Sequence, residues 1–273
     1  MKKYITFVLI FIALIINAQI QETRNISSFD KISGSTGVNI SYHLSNSPKI
    51  IVDTDKKENL NYIITEVKNN VLQLYIDNKE KRNINISKVN IAVYGSSINS
   101  IKMSSGAQIK FNDKMNSNGL EIHSSSGSIT NLGELFNSKN INIHLSSGSQ
   151  LKGNLSSENI IASISSGANW NTNLKSKQLE INSSSGSSTT LSGKTNLITV
   201  KSSSGSKCNL YDLEVLEANF KASSSATINS WVVDKFSASV SSSSKITIKG
   251  EPKVTSIKKD KSGKVKNKSG NDY

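Results

Sequence analysis

The sequence has very few of the residues that cross-link or break a chain. Cys208 is its only cysteine, so an intrachain disulfide is excluded even if the protein enters an oxidising compartment. Only two of its 273 residues are proline. This scarcity, with abundant Ser and Asn and short apolar-x-apolar triplets, favours many short β-strands. Stability must therefore come from apolar burial and backbone pairing.

Long apolar runs are also scarce, and the longest one begins the chain. Two lysines precede an apolar stretch from Ile5 to Ile16, and the small Ala18 follows, which are the three parts of a secretory signal peptide. The stretch is shorter than the ~20 residues that a membrane-spanning helix needs. We expect residues 1–18 to be a cleaved signal peptide, with no transmembrane segment left after its removal. The predicted location is the periplasm, the outer-membrane surface or the extracellular space.

Acidic residues are outnumbered by basic ones. The chain has 33 Lys and Arg against 20 Asp and Glu, a formal charge of +13, and loss of Lys2 and Lys3 with the signal peptide would leave +11. Such an excess favours anionic partners, such as acidic glycans or other anionic polymers of the cell envelope. The alternative is a solvated surface without a specific partner, and no specific nucleic-acid site is expected.

From about residue 96 the chain repeats one serine-serine-glycine phrase. Its glycines are 21, 21, 19, 19 and 19 residues apart, at Gly106, Gly127, Gly148, Gly167, Gly186 and Gly205. Two degraded copies follow, with Ser225 and Ser243 at the glycine position. A period of about 20 residues predicts a solenoid, here of about eight coils.

The columns obtained by aligning the copies on this glycine alternate in polarity. Five residues before it the column is apolar from Ile101 to Ala238, the next column is polar, and the following one is small or apolar. Another mostly apolar column, which contains Trp170 and Cys208, lies three residues after it. A period of two predicts short strands whose apolar faces are buried only by stacking. Residues 96–250 are therefore predicted to form a right-handed parallel β-helix in an all-β protein.

The segment before the repeats is less regular. Residues 19–95 are predicted to form a mixed β part, with strands at 49–53, 71–77 and 83–94. Between the first two, residues 54–67 carry apolar residues at the spacing of one helix face. This spacing predicts one short helix.

The repeated phrase has two interpretations. A corner between two strands usually needs a positive φ, which costs glycine least, and the serines can bond the local backbone and each other from coil to coil. Alternatively, the hydroxyls form an array that binds a glycan or a crystalline surface. Because stacking alone requires every coil to present the same turn, we favour a structural role for the six glycines.

Three other side chains are candidates for surface binding. His123 and His144 share an outward column in adjacent coils, so their side chains are expected about 5 Å apart. A metal site needs three or four ligands, and the neighbours in this column are Lys102 and Ser163, so no metal or cofactor is expected. Trp231 lies between strands and is a candidate platform for a sugar ring.

Acidic residues are too sparse in the repeats for polysaccharide chemistry. Some parallel β-helices are lyases or hydrolases, which need clustered acids or acids combined with basic residues or calcium. Glu121 and Glu180 share a column but are three coils apart, about 14 Å, beyond the roughly 5–9.5 Å span of glycosidase carboxylate pairs. Cys208 is expected to be a buried hydrophobic residue and not a nucleophile. We therefore predict no catalytic residues.

Several segments resemble a known family in their order along the chain. F-D-K-I-S-G-S-T-G-V-N-I (29–40) and N-Y-I-I-T-E-V-K-N-N-V-L-Q-L (61–74) come first, the S-S-G turns follow, and I-K-G-E-P-K-V (248–254) with K-S-G-K-V-K (261–266) closes the pattern. This order resembles the head GIN domain family of auto-transporter-type adhesins, which are exported bacterial proteins. The resemblance implies a β-helical fold at the cell envelope and an adhesive role, and it transfers no catalytic residue.

The resemblance also bears on the lysine-rich segment 251–273. Its composition predicts a partly disordered basic tail. The family resemblance implies that Val254 and Val265 still pair as closing strands, so that only the last several residues are loose. The last two turns depart from the family pattern because they lack glycine.

Three functions follow from these observations. The first is a non-catalytic exported protein of the envelope or surface, an adhesin or glycan-binding β-solenoid. The second is a structural or assembly component of the envelope that stacks through its solenoid ends and has no glycan ligand. A polysaccharide-active enzyme is the least supported. The sequence does not identify the ligand or the oligomeric state.

Overall fold

The computed structural model describes residues 20–77, 86 and 89–273, so the predicted signal peptide lies outside the described residues. These residues form one short 3-10 helix, Lys57–Tyr62, and twenty β-strands that belong to one sheet. In chain order the strands are β1 Ile20–Asn25, β2 Lys31–Gly34, β3 Asn39–Leu44, β4 Lys49–Thr54, β5 Ile63–Lys68, β6 Val71–Ile76, β7 Val89–Gly95, β8 Ser100–Met103, β9 Gln108–Phe111, β10 Met115–Ser124, β11 Ile129–Asn131, β12 Phe136–Leu145, β13 Gln150–Ile164, β14 Asn169–Ser183, β15 Ser188–Ser202, β16 Lys207–Ala222, β17 Thr227–Val240, β18 Lys245–Lys249, β19 Lys253–Lys259 and β20 Lys264–Asn267. Within the described part of the chain, no helix has the length and hydropathy needed to cross a membrane.

From β8 onwards the chain winds into parallel coils, as the period predicts. Equivalent residues of successive coils are paired in register, so that Ile122 lies beside Ile143. Every member of the three columns predicted to face inward is buried, and the polar column between them is not. Trp170 and Cys208 lie in this interior, and burial raises the pKa of the Cys208 thiol. Each coil therefore completes the core of the next one.

The serine-serine-glycine phrase forms the first corner of each coil. Its glycines have φ between 68° and 74°, and each serine before them is also left-handed, as at Ser147 with φ 50°. Ser225 and Ser243 adopt the glycine conformation with φ 60° and 59°. The Gly148 N–H donates to the Ser166 carbonyl of the next coil at 3.0 Å. The sequence predicted the positive φ of the glycine but not that of the serine before it.

The solenoid has about nine turns, one more than the periodic phrases predict. One coil outside the repeated phrases is formed by β2 and β3, with its corner at Thr36 and Gly37, which have φ 54° and 75°. This coil lies between strands that come later in the chain: β2 pairs with β6 and β8, and β3 pairs with β7 and β9. Residues 20–77 and 89–95 are therefore continuous with the solenoid and close its first end, where β1 and β5 pair antiparallel with β4 and β6.

The helix predicted for residues 54–67 is wrong in length and type. Only Lys57–Tyr62 is helical, and Ile63–Lys68 is strand β5. β5 forms an antiparallel hairpin with β6 through Asn69 and Asn70, which have φ 52° and 61°. Two left-handed residues in succession are typical of tight hairpin turns, and β-branched residues such as those of β5 suit a strand. The turn signal of the Asn pair therefore outweighs the helical spacing.

The segment 251–273 closes the other end. β19 pairs with β17 and β20 with β18, which places Val254 and Val265 in closing strands. The ring of Tyr273 packs edge-on against Phe236, with centroids 5.3 Å apart. The pairing of Val254 and Val265 in closing strands, which the family resemblance implies, is thus present in the structure.

The final turn has no following coil to satisfy its backbone, and Asp260 takes over this role. One carboxylate oxygen accepts from the N–H groups of Ser262 and Gly263 at 2.9 and 2.7 Å, and the other from the N–H of Ser242 at 2.9 Å. These hydrogen bonds, with that of Ser242 first, lower the Asp260 pKa to about 2. A side chain therefore caps the stack where backbone carbonyls do so elsewhere.

Candidate functional site

The first corner is held together by its own hydrogen bonds. Where a serine follows the glycine it is buried, and its hydroxyl donates to a carbonyl of the preceding coil, as in Ser149 Oγ to Ser124 O at 2.8 Å and Ser128 Oγ to Met103 O at 3.0 Å. The glycines Gly106, Gly127, Gly148, Gly167, Gly186 and Gly205 stack in the same place in successive coils. This arrangement fits the structural interpretation of the phrase.

The histidine pair has the geometry that its shared column predicts. The rings of His123 and His144 are stacked, with centroids 4.7 Å apart and planes at 13°. Nε2 of His123 lies 2.8 Å from Oε1 of Glu121, a hydrogen bond that lowers the pKa of this carboxyl. Among the described residues, no group of three His, Cys, Asp or Glu side chains could hold a metal ion.

Trp231 lies in β17 and is half-buried. Its indole ring already has a cationic partner, since the Lys249 ammonium lies 4.3 Å from the ring centroid. A cation over an aromatic face is attracted by the ring quadrupole. A sugar ring stacked on that face would have to displace Lys249.

The two carboxyls that share a column are far apart and ionised. The register links Glu121 to Asn142, Ile161 and Glu180 in turn, so three coils separate the two acids. Hydrogen bonds from Asn182 and then Lys201 lower the pKa of Glu180. A general acid needs a raised pKa, and both of these are lowered. The pair has neither the spacing nor the protonation state that glycoside hydrolysis requires.

The structure reveals a groove that the sequence analysis did not identify. It has a volume of about 850 Å³ and lies at a second bend of the coils. The backbone ladder skips one residue there: Ser117 pairs with Ser138 and Gly119 with Asn140, which leaves Asn118 and Lys139 outside the ladder. The skip recurs in the next coils, and the skipped residues form one side of the groove: Asn118, Lys139, Glu158, Lys177 and Asn196.

Small hydroxyl residues occupy the position just before the skip. They lie ten residues before successive glycines of the phrase, at Ser117, Ser138, Ser157, Ser176 and Thr195. Their hydroxyls bond one another and the bend, as in Ser176 Oγ to Thr195 Oγ1 at 2.8 Å and Ser138 Oγ to Asn140 O at 3.0 Å. Because these side chains are short, the longer ones on either side enclose an open channel. The four spacings between these five coils, at 4.7–4.9 Å each, make this channel about 19 Å long.

The other side of the groove is formed by Asn116, Asn137, Ser156 and Lys175. Asn137 Nδ2 donates to Asn116 Oδ1 at 3.2 Å across adjacent coils. The groove has one carboxylate, Glu158, and Lys177 pairs with it at 3.4 Å. Within residues 20–77, 86 and 89–273, Lys139 and Lys175 have no acidic partner. The groove is thus polar and carries a positive excess.

The side chains of the groove suit a ligand rich in hydroxyls. Asn amides and Ser hydroxyls both donate and accept hydrogen bonds, and Lys donates three. The sequence contained a signal for this row, since its offset of ten residues from the glycine is constant. Apolar alternation is strongest in the columns close to the glycine, so the row ten residues away was not predicted.

Comparisons with known proteins agree with this fold. The sequence profile of a family described as "Putative auto-transporter adhesin, head GIN domain" matches residues 28–154 and 139–252. A solved structure from Parabacteroides merdae, called a putative adhesin, has a TM-score of 0.70 at 18% identity, with 91% of this chain and 95% of that one covered. A putative adhesin from Parabacteroides distasonis has a TM-score of 0.67 at 16% identity, with 91% and 96% covered.

A third solved structure, also from Parabacteroides distasonis, is called a putative lipid binding protein. It has a TM-score of 0.64 at 18% identity, with 91% of this chain and 96% of that one covered. No curated protein sequence matches the chain. At these identities the solved structures are evidence of a shared fold alone.

Proposed function

The chain belongs to the head GIN domain family of auto-transporter adhesins, and from this premise we propose that it is a non-catalytic surface protein that attaches to carbohydrate through the groove. The proposal includes export by the N-terminal signal peptide and residence at the cell envelope or outside the cell. The observation that carries it is the groove of about 850 Å³, lined by Asn, Ser and Lys side chains over five coils.

The shape and chemistry of the groove support an extended ligand. A channel about 19 Å long along the stack presents polar side chains from five coils that are 4.7–4.9 Å apart, which suits a polymer that presents hydroxyls at regular intervals. Binding without chemistry is supported by its single carboxylate, which is paired with Lys177. Glycoside hydrolysis uses two carboxylates that flank the scissile bond.

The alternative is a structural component that stacks through the ends of its solenoid. Neither end favours this function. The first end is covered by the antiparallel strands β1, β4 and β5 and by the 3-10 helix. The second end is formed by β19 and β20, which are rich in lysine, and lysines on an edge strand discourage pairing with another chain.

A glycan array probed with the mature protein tests the proposal. The double variant Asn137→Ala/Lys175→Ala removes a donor and a charge from the groove and is expected to lose retention of the bound glycans. The matched control is Asn171→Ala/Lys152→Ala, which changes two exposed residues outside the groove. Retention should be kept in the control, and circular dichroism should be unchanged in both.

Three outcomes contradict the proposal. The first is an array with no retained glycan beside a stoichiometric complex with one envelope protein, which would favour the assembly function. The second is equal glycan retention by both double variants, which would show that the groove does not bind the glycan. Turnover of a retained glycan that is lost on mutation of Glu121 or Glu180 would instead indicate an enzyme.

A further inference from the structure

Lysines are concentrated around the first corner in the last coils. Outward positions on the two sides of this corner form two rows, one running through Lys201, Lys221, Ser239 and Lys258 and the other through Lys207, Thr227, Lys245 and Lys264. Lys261 lies in the last turn itself. We call the seven exposed lysines of this region the basic corner: Lys201, Lys207, Lys221, Lys245, Lys258, Lys261 and Lys264.

Few negative charges offset the basic corner. Glu180 pairs with Lys201 at 3.2 Å, and Asp260 is engaged by the backbone of the last turn. Across the described residues, the other six lysines have no acidic partner within ion-pair distance. In the coils from 123 to 188 the equivalent positions hold no Lys, Arg, Asp or Glu at all. The positive charge is therefore local to one end of the corner.

Protection of the sheet edge does not account for these lysines. Only Lys258 and Lys264 lie on the closing strands β19 and β20, where a lysine discourages pairing with another chain. Lys207 and Lys221 lie in β16, which is paired on both sides by β15 and β17. Lys245 lies in β18, between β17 and β20. Lysines on such inner strands protect no edge, so their concentration needs another reason.

The same coils display additional hydroxyls at the corner. Ser225 and Ser243 replace glycine there, although the left-handed conformation costs a non-glycine residue about 1–2 kcal/mol. Both are exposed, and within the described part of the chain neither hydroxyl has a hydrogen-bond partner in the protein. Hydroxyls that alternate with ammonium groups along an edge are suitable donors to carboxylate or sulfate oxygens.

We propose that the basic corner binds a linear acidic polysaccharide, with the polymer lying along the stack and its anionic groups between the two rows of lysines. Successive lysines in a row are one or two coils apart, about 5–10 Å, so one chain can meet several of them at once. This site shares no residue with the groove and does not depend on the proposed function.

A lipid surface fits the basic corner less well. The two lysine rows lie on different strands, one on each side of the corner. Surface attachment to membranes uses buried apolar side chains beside the basic ones. The large apolar side chains that are exposed among the described residues are Leu44, Ile161, Leu216, Val233 and Val254, and none of them lies in the two rows.

Binding to polygalacturonate and to heparin, measured by calorimetry at low and at physiological salt, tests the proposal. The triple variant Lys207→Gln/Lys221→Gln/Lys245→Gln is expected to bind about tenfold more weakly, since three exposed ammonium groups that pair with the polyanion are lost. The control triple variant Lys110→Gln/Lys114→Gln/Lys152→Gln removes the same net charge from exposed lysines elsewhere. It is expected to bind as the unmodified protein does.

Several results would overturn the proposal. An equal loss in both triple variants would mean that only net charge matters. Binding to vesicles of phosphatidylglycerol but to neither polysaccharide would favour a lipid surface.

The double variant Ser225→Gly/Ser243→Gly should keep the fold and bind a few-fold more weakly, and unchanged affinity would exclude the hydroxyls from the site. The groove variant Asn137→Ala/Lys175→Ala should keep its polyanion binding, which separates this site from the groove.

Discussion

The glycines of the serine-serine-glycine corner and those elsewhere in the coils differ in what a side chain would meet. At Gly148 and Gly186 an added Cβ would have no atom within 4 Å. At Gly133, Gly193 and Gly250 it would lie 2.2, 2.0 and 2.3 Å from a carbonyl oxygen of the preceding coil. The repeated glycine is thus needed only for its φ, whereas the scattered ones are needed because another backbone passes close by. Repetition along a sequence does not measure how strongly a position is constrained.

The largest effect is expected for Gly193→Ala. Its Cβ would contact the Leu174 carbonyl, and φ 105° lies outside the usual left-handed region. Strain and overpacking together are expected to lower the free energy of unfolding by about 3–5 kcal/mol. Urea unfolding followed by circular dichroism measures the loss. A loss below 1 kcal/mol would show that the coils can separate locally. The glycines near a carbonyl would then be no more constrained than those of the corner.

A smaller effect is expected for Gly186→Ser. The corner is open, and Ser225 and Ser243 already occupy its left-handed position. The only cost is therefore that serine adopts a positive φ less readily than glycine does. The expected cost is about 1 kcal/mol, measured in the same urea experiment as Gly193→Ala. If the two variants lost equal stability, the corner would be as constrained as the carbonyl contact.

The smallest effect is expected at the last corner, where Asp260 substitutes for a following coil. The folded pKa of Asp260 is about 2, below its ordinary value of 3.8, so ionised Asp260 stabilises the fold. Its contribution is complete above about pH 4 and disappears as the pH falls through about 2. Asp260→Asn should therefore lower the urea midpoint at pH 7, and the difference from the unmodified protein should vanish near pH 2. A difference that persists at pH 2 would mean that the charge is not what caps the turn.

The repeats could be predicted from the sequence because each coil contacts a nearly identical one. Residues at equal offsets from the glycine then meet, which is why the stacking of His123 on His144 and the burial of Trp170 and Cys208 followed from the columns. The coil of β2 and β3 could not be predicted in this way. Gly37 and Gly106 are 69 residues apart, so no period marks the coil as part of the stack.

The groove escaped prediction for a different reason. Asn118, Lys139 and Glu158 have no residue type in common, so their constant offset of nine residues from the glycine marks no shared chemistry. Only the skip in the ladder turns them into one side of a groove. The sequence showed the positive net charge to which the basic corner contributes, but not that these lysines lie together on one surface. Lys207 and Lys245 are 38 residues apart in the chain and lie two coils apart in the stack.

The sequence by itself determined the solenoid, its register and its interior. Alternating apolar columns can be buried only when equivalent residues of successive coils stack on one another. Only the tertiary structure decided which glycines are sterically required, where the inserted coil lies and which polar side chains share a surface. These properties depend on how close one backbone passes to another and on which residue the ladder leaves unpaired. Neither is a property of any single repeat.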